Sequence, residues 1–177
     1  TQPNRNLLLW RDPSVDGIKT GHTSSAGYCL MASAQRGDQR LIAVVMGDSS
    51  ENQRAVDAQA LLNWGFRFYE SHKLYDAGKQ VATQRVWKGA ADSVRLGVAQ
   101  PLLVSSPRGQ YDRMKATMDI QKTLVAPIAK GQALGTVKVA LDGKVIAQAP
   151  LVALDEVQKG GFFKRLWDSL LMWWHSL

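Results

Sequence analysis

The spacing of apolar residues changes part-way along the chain, and this change constrains the fold more than any other feature of the sequence. Up to about residue 73, the apolar segments suit a few strands and one helix. From about residue 74 the segments are short and often alternating, with turn residues between them, as in residues 79–87 and 136–154. Alternation with a period of two is typical of strands that bury one face. The sequence therefore predicts an α/β part followed by a small all-β part.

The first part contains recognisable local signals. Residues 26–48 read as two apolar strands joined by a polar turn around Arg36 to Gln39, which predicts a hairpin, and the strand that carries Lys19 is expected beside it. Ser50 followed by Gln53 is a capping-box pattern at the start of a helix. The apolar residues that recur in this helix at helical spacing are Val56, Ala60, Leu61, Trp64 and Phe68.

The second part carries two clear strand signals. Between residues 114 and 120, apolar and polar residues alternate, which predicts a strand with one apolar face. The apolar set is Met114, Ala116, Met118 and Ile120. Asp142-Gly143 has the composition of a two-residue hairpin turn.

Charge and cysteine content limit the classes of function. The formal net charge is +7, and all of the excess lies after residue 70. Such a basic half suits nucleic acid or an anionic membrane surface. No nucleic-acid-binding motif is recognisable, so we expect no nucleic-acid partner. Cys29 is the only cysteine, which excludes an internal disulfide and a CxxC motif, and we expect no metal and no cofactor. Residues 1–10 lack the pattern of a signal peptide.

Residues 160–177, GGFFKRLWDSLLMWWHSL, predict an amphipathic helix. Docking on its own domain is one explanation, and attachment to a lipid interface, which accepts Trp, Phe and Leu with basic residues at the rim, is the other. The second is favoured, because three of the six Trp lie here and Gly160-Gly161 should detach the segment. The run 170–174 is too short to span a bilayer. The expected membrane anchor residues are Phe162, Phe163, Leu166, Trp167, Leu170, Leu171, Trp173 and Trp174, with Leu177 on the same side; Lys164, Arg165, Asp168, Ser169, His175 and Ser176 fill the polar side.

The tripeptide Lys19-Thr20-Gly21 has the composition of one wall of a serine acyl-transfer site. The ammonium supplies positive potential, the hydroxyl can donate to a substrate carboxylate, and glycine lets an extended peptide approach the backbone. Strand alternation puts Lys19 and Thr20 on opposite faces, so one substrate can touch both only at a sheet edge. A solvated lysine beside an ordinary strand threonine is the alternative.

The wider sequence resembles a known family. VDGIKTGHTSSAGY, RLIAVVMG and LLNWGFRF, followed by the β-rich part and the amphipathic tail, are similar to the membrane-anchored D-alanyl-D-alanine carboxypeptidases, which are low-molecular-mass penicillin-binding proteins. The resemblance implies the C-terminal part of a transpeptidase/β-lactamase-like domain, of α+β or α/β class with antiparallel strands plus a helix, at 1–73. It further implies a small all-β domain at 74–158 and a membrane-anchor helix at 159–177.

The resemblance also implies an activity and roles for single residues. The family's serine enzymes remove the terminal D-alanine from peptidoglycan stem pentapeptides and are inhibited by β-lactams. Lys19 would be the cationic member of the catalytic network, and Thr20 with Gly21 would bind substrate. The backbone amide of His22 would be an oxyanion donor, whereas its side chain is expected to be a solvated strand histidine. Arg54 would help to hold the substrate carboxylate.

One departure from the family pattern limits this interpretation. No S-x-x-K occurs in the sequence, and the single S-x-N, Ser50-Glu51-Asn52, reads as a helix cap. We therefore expect a C-terminal portion of a longer enzyme, inactive by itself, whose partner is the missing N-terminal part of the catalytic domain. The family implies the periplasmic face of the bacterial inner membrane. A non-catalytic membrane-attachment and spacing module is the alternative, and a serine β-lactamase would lack the β domain and the anchor.

Overall fold

The protein is mostly β-sheet with few helices, as seen in a computed structural model. The structure describes residues 2–174, and of Trp173 and Trp174 it describes the backbone alone. The helices are α1 (Leu8–Arg11), α2 (Glu51–Phe68) and α3 (Phe162–Trp174), with a 3-10 turn at Tyr111–Arg113. The strands are β1 (Val15–Thr23), β2 (Gly27–Arg36), β3 (Gln39–Asp48), β4 (Tyr69–Tyr75), β5 (Gln80–Trp87), β6 (Ser93–Val98), β7 (Leu102–Pro107), β8 (Met114–Ile120), β9 (Leu124–Val125), β10 (Ala133–Leu141) and β11 (Lys144–Ala153).

The chain divides into two compact units. The first holds the chain up to His72 together with Ser105–Tyr111. The second holds Lys73–Val104 and the chain from Asp112 onward. Residues 105–111 therefore belong to the first unit although they follow part of the second in the sequence. The change in apolar spacing near residue 74 does not predict this return.

The first unit is a three-stranded antiparallel sheet, in the order β1-β2-β3, with α2 packed on one face. The predicted hairpin is β2 and β3, and the predicted neighbour that carries Lys19 is β1, so both predictions are confirmed. One core unites the sheet and α2. Its buried members are Leu8, Val15, Leu30, Ala32, Ala34, Ala43, Ala55, Ala58, Leu62 and Phe66.

Helix α2 begins where the sequence predicts, and its buried face is not the stripe of large apolar residues that recur at helical spacing. The Ser50 side chain accepts a hydrogen bond from the Gln53 amide at 3.0 Å, which confirms the cap. The bulky stripe that the spacing singles out is largely exposed, with Trp64 at 55% and Leu61 at 48%. The core face is instead the smaller set Ala55, Ala58, Leu62 and Phe66, because β2 contributes alanines that let the helix approach closely.

Asp12 ties three segments of the first unit together. Its carboxylate accepts hydrogen bonds from the amide and hydroxyl of Ser14 at 2.8 and 2.6 Å, from Gln59 of α2 at 2.8 Å and from Arg36 of β2 at 3.1 Å. Burial raises the pKa of the Asp12 carboxyl, but these hydrogen bonds outweigh it and lower the pKa from 3.8 to about 2. The charged form of Asp12 therefore stabilises the unit.

We expect Asp12→Asn to lower the free energy of unfolding of the first unit by about 1–3 kcal/mol at pH 5, because charge-assisted hydrogen bonds are lost. Since the folded pKa is depressed, the contribution is fully present above pH 3.8 and disappears as the pH falls through about 2. Amide hydrogen-exchange protection in α2 measures this unit separately. Asp38→Asn, at an exposed turn of the same unit, is the control. An equal effect of both substitutions, or one independent of pH, would contradict the assignment.

The second unit is built on a six-stranded sheet in the order β8-β10-β11-β6-β5-β9. Asp142 and Gly143 have φ of 51° and 82° and form the turn between β10 and β11, which confirms the predicted hairpin. In β8 the predicted alternation holds only in part. Met114 and Ile120 pack on the core, whereas Ala116 and Met118 are exposed because β8 is an edge strand.

Candidate functional site

The tripeptide Lys19-Thr20-Gly21 lies on β1, an edge strand of the three-stranded sheet. In the register with β2, Lys19 is opposite Met31 and Thr20 is opposite Leu30. Leu30 is buried in the core under α2, and Met31 is 40% exposed on the other face. Lys19 and Thr20 therefore project to opposite faces, as strand alternation predicts, and the free edge of β1 is the place where both come within reach of one extended ligand.

Lys19 presents an exposed ammonium group on the face of the sheet away from α2. Its Nζ donates a hydrogen bond to the Thr20 carbonyl at 2.7 Å. It forms no ion pair with a carboxylate among residues 2–174. Its charge is therefore available to an external group.

Gly21 has room for a side chain inside the unit. A Cβ added at Gly21 would meet nothing nearer than the Cys29 Cβ at 3.7 Å, which is an ordinary contact. The backbone of Gly21 does not have the positive φ that favours glycine elsewhere in this chain. Folding of the described part therefore does not require glycine at position 21. A ligand or chain segment that approaches β1 closely would require it.

The Arg54 side chain is buried and contacts the backbone of the Lys19-Thr20-Gly21 strand. Its side chain is 2% exposed, and it donates hydrogen bonds to the carbonyl oxygens of Gly21 at 3.3 Å, Cys29 at 3.5 Å and Arg5 at 3.0 Å. Glu51, 3.4 Å away, offsets part of its charge at the start of α2. Arg54 therefore holds the Gly21 carbonyl in position. Direct contact between Arg54 and a substrate carboxylate remains a prediction.

The His22 ring stacks on Tyr28 of β2, with the ring centroids 4.0 Å apart. Tyr28 in turn lies 5.6 Å from the Arg54 guanidinium. The side chain expected to be simply solvated is thus exposed but packed on a neighbour. Sequence reasoning missed Tyr28, because only the pairing register brings it beside His22. The role of the His22 amide as an oxyanion donor remains a prediction.

A second candidate site is the face that α3 presents to solvent. Its apolar residues are exposed, with Phe162 at 73%, Phe163 at 84% and Trp167 at 64%. Leu166 and Leu170 belong to the same face, and Leu171 is half-buried. The side chains of Trp173 and Trp174, and residues 175–177, lie outside the described residues. Among the described residues, no helix is both long and apolar enough to cross a bilayer.

The polar side of α3 contacts the rest of the second unit, which corrects the expectation that the two glycines detach the helix. Asp168, on this polar side, is 7% exposed and accepts a hydrogen bond from the Lys88 amide at 2.6 Å. Gly160 was expected to detach the helix, yet its amide donates to the Lys88 carbonyl at 2.8 Å. A Cβ on Gly160 would lie 2.8 Å from the Gly89 oxygen, so this glycine permits close packing. The helix is therefore docked, and Asp168 on its polar side takes part in the contact.

Comparison with known proteins agrees with this architecture. The family described as "Penicillin-binding protein 5, C-terminal domain" matches residues 69–159, just over half of the 177 residues. The chain belongs to the penicillin-binding protein 5 family. The family described as D-alanyl-D-alanine carboxypeptidase matches residues 1–50, which include the Lys19-Thr20-Gly21 strand. The resemblance noted in the sequence is confirmed.

Individual relatives cover almost the whole chain. The D-alanyl-D-alanine carboxypeptidase DacC of Escherichia coli (strain K12) is 46% identical over 177 residues, which are 99% of this chain and 44% of that protein. DacF of Bacillus subtilis (strain 168) is 37% identical over 171 residues, 96% of this chain and 44% of that protein. A crystal structure of penicillin-binding protein 5 from Haemophilus influenzae matches with a TM-score of 0.79 and 46% identity, over 89% of this chain and 47% of that one. The chain spans less than half the length of these relatives.

Proposed function

We propose that this chain is the C-terminal part of a serine D-Ala-D-Ala carboxypeptidase that acts on peptidoglycan pentapeptides and is acylated by β-lactams. The observation that carries the proposal is the position of Lys19-Thr20-Gly21 on an edge strand of the described sheet. The Lys19 ammonium forms no ion pair among the described residues, and folding of the unit does not require glycine at position 21. Membership of the penicillin-binding protein 5 family supports it.

The chemistry divides between this chain and a segment that would precede it. A serine Oγ from that segment attacks the carbonyl carbon of the terminal D-Ala-D-Ala bond, the C–N bond breaks, and D-alanine leaves with a proton. Water then hydrolyses the ester. Lys19 supplies positive charge to the proton-transfer network, Thr20 binds the terminal carboxylate, and the His22 amide stabilises the oxyanion. By its bond to the Gly21 carbonyl, Arg54 fixes the strand wall and adds positive potential to the same carboxylate subsite.

The surface that would receive the preceding segment is the exposed apolar side of β3 and α2. Strand β3 is the other edge of the sheet and exposes Ile42 at 59%, Val44 at 50% and Met46 at 78%. A cavity of about 350 Å³ beside it is lined by residues that include Leu61 and Trp64 of the exposed α2 stripe. An open edge with apolar side chains is a template for another strand, and contiguous apolar surface indicates an interface.

The proposal places the enzyme on the periplasmic face of the bacterial inner membrane, held peripherally by α3. Support comes from the exposed aromatic face of a helix whose polar side contacts its own domain. A helix that serves only to cover its domain would turn its apolar side inward. The domain division expected from the sequence, with catalytic residues at 1–73, a spacer at 74–158 and the anchor at 159–177, remains part of this proposal.

A non-catalytic attachment and spacing module is the competing function. The second unit, which includes α3, is compatible with either function, so the two functions differ only in the role of the first unit. An upstream S-x-x-K and S-x-N in the gene would favour the enzyme, and their absence would favour the module.

Substitution of Gly21 tests the proposed site in the longer protein. We expect Gly21→Ala to lower kcat/KM for a D-Ala-D-Ala peptide by about 10- to 100-fold, because the new Cβ holds the substrate away from the strand. Gly21→Val should lower it further. Gly21→Ala should fold as well as the wild type, since an added Cβ meets nothing nearer than the Cys29 Cβ at 3.7 Å. Steady-state kinetics and thermal melting measure the two effects. Unchanged activity, or a loss that follows a fall in melting temperature, would contradict a substrate-bordering role.

A further inference from the structure

A shallow cavity lies beside the first turns of α3, where the helix leaves the β-sheet unit. Its volume is about 190 Å³, and it is lined by Lys88, Phe162, Arg165, Leu166 and Ser169. Lys88 follows β5, and the other four residues belong to α3. The cavity therefore joins two cationic side chains to two apolar side chains of the exposed helix face.

The Lys88 and Arg165 side chains are not neutralised by a carboxylate of the described chain. Lys88 and Arg165 form no ion pair among the described residues. The neighbouring Lys164 differs, because its Nζ lies 2.6 Å from Asp92. A cation without a carboxylate partner at the rim of an apolar face is the arrangement that binds an anion at a lipid interface.

The Lys88 turn is held in place by the helix segment itself. Lys88 has φ of 59°, a left-handed conformation. Its amide donates to Asp168 at 2.6 Å, and its carbonyl accepts from the Gly160 amide at 2.8 Å. A Cβ on the next residue, Gly89, would lie 2.7 Å from the Ala91 oxygen, so the turn is tightly packed. The backbone of Lys88 is thus fixed against α3, the helix that carries Arg165.

We propose that this cavity binds the headgroup of an anionic phospholipid, with its phosphodiester between Lys88 and Arg165 and its acyl chains along Phe162 and Leu166. This inference rests on the membrane attachment proposed above. A zwitterionic headgroup brings its own cation to the site and gains less from two further cations. Because Lys88 lies outside α3, lipid selectivity resides in the folded second unit as a whole, and an isolated helix lacks half of the site.

Vesicle binding by the 177-residue chain tests the site. Affinity is measured by co-sedimentation with phosphatidylcholine vesicles and with vesicles that also contain phosphatidylglycerol. We expect Lys88→Gln and Arg165→Gln each to lower affinity for the anionic vesicles about fivefold, by analogy with the usual contribution of one basic residue near a charged membrane. Binding to pure phosphatidylcholine should stay unchanged, and Arg165→Lys should retain most of the affinity. Circular dichroism confirms that each variant is folded.

Lys144→Gln is the matched control, since it removes the same charge from an exposed position at the β10–β11 turn. It should change anionic affinity less than twofold. An effect as large as that of Lys88→Gln would overturn the site in favour of diffuse attraction. Wild-type binding without preference for phosphatidylglycerol would overturn the site while leaving attachment intact, and no binding to either vesicle would overturn both.

Free phosphate shares the chemistry of the headgroup and is distinguished by competition. Inorganic phosphate, substituted for chloride at equal ionic strength, should not release the chain from anionic vesicles, because Phe162 and Leu166 gain nothing from a free anion. Release by phosphate would overturn the assignment to lipid.

Discussion

Lys19→Ala should lower kcat/KM for a D-Ala-D-Ala peptide in the longer enzyme by about 10²–10⁴-fold, the range typical of losing a group from a proton-transfer network. The structure gives the reason, because Lys19 presents an exposed ammonium on β1 that no carboxylate of the described chain neutralises. The change removes no buried contact. The loss should therefore occur without a fall in melting temperature.

A lysine on another edge strand serves as the control that distinguishes a catalytic role of Lys19 from an effect of net charge. Lys115 is exposed on β8, the edge of the sheet in the second unit, as Lys19 is on β1. Lys115→Ala should leave kcat/KM within about twofold, as is usual for a surface substitution away from a site. A similar loss in both variants would show that net charge, rather than the position of Lys19, matters for substrate capture.

Charged substitutions on the exposed face of α3 should release the chain from membranes. Phe163→Glu together with Trp167→Glu should weaken binding to anionic vesicles by at least about 100-fold, because two large apolar side chains no longer enter the interface. Phe163 and Trp167 are 84% and 64% exposed, so the folded unit loses little packing. Co-sedimentation with vesicles measures the change.

The control adds the same kind of charge elsewhere on the second unit. Val145 is 50% exposed near the β10–β11 turn, and Val145→Glu should leave vesicle binding nearly unchanged. These point variants are sharper than removal of residues 160–177. That deletion should also release the chain, but it takes away the Asp168 and Gly160 hydrogen bonds to Lys88. Co-sedimentation of the double variant at the wild-type level would contradict an anchoring role for this face.

Local signals in the sequence were sufficient for several elements. The β2–β3 hairpin, the Ser50 cap and the Asp142-Gly143 turn each depend on residues a few positions apart, and each is present. The opposite orientation of Lys19 and Thr20 follows from strand alternation alone.

Features that depend on distant residues could not be predicted in the same way. The buried face of α2 does not follow from helical spacing alone, because its larger apolar residues belong to the exposed surface that we propose receives another segment. The contact between Arg54 and the Gly21 carbonyl joins residues 33 positions apart. The Asp168 bond to Lys88 spans 80 positions, and a helical wheel cannot distinguish a polar side that meets solvent from one that meets protein.

Covalent labelling by a fluorescent penicillin tests the central claim most directly, which is that this chain carries one wall of a serine acyl-transfer site. The longer protein, its Lys19→Ala variant and the isolated 177-residue chain are compared on one denaturing gel, where only an acyl-enzyme retains the dye. We predict strong labelling of the longer protein, at least about 100-fold slower labelling of the variant and none of the isolated chain. Labelling of the isolated chain, or equal rates for the longer protein and its Lys19→Ala variant, would contradict the account.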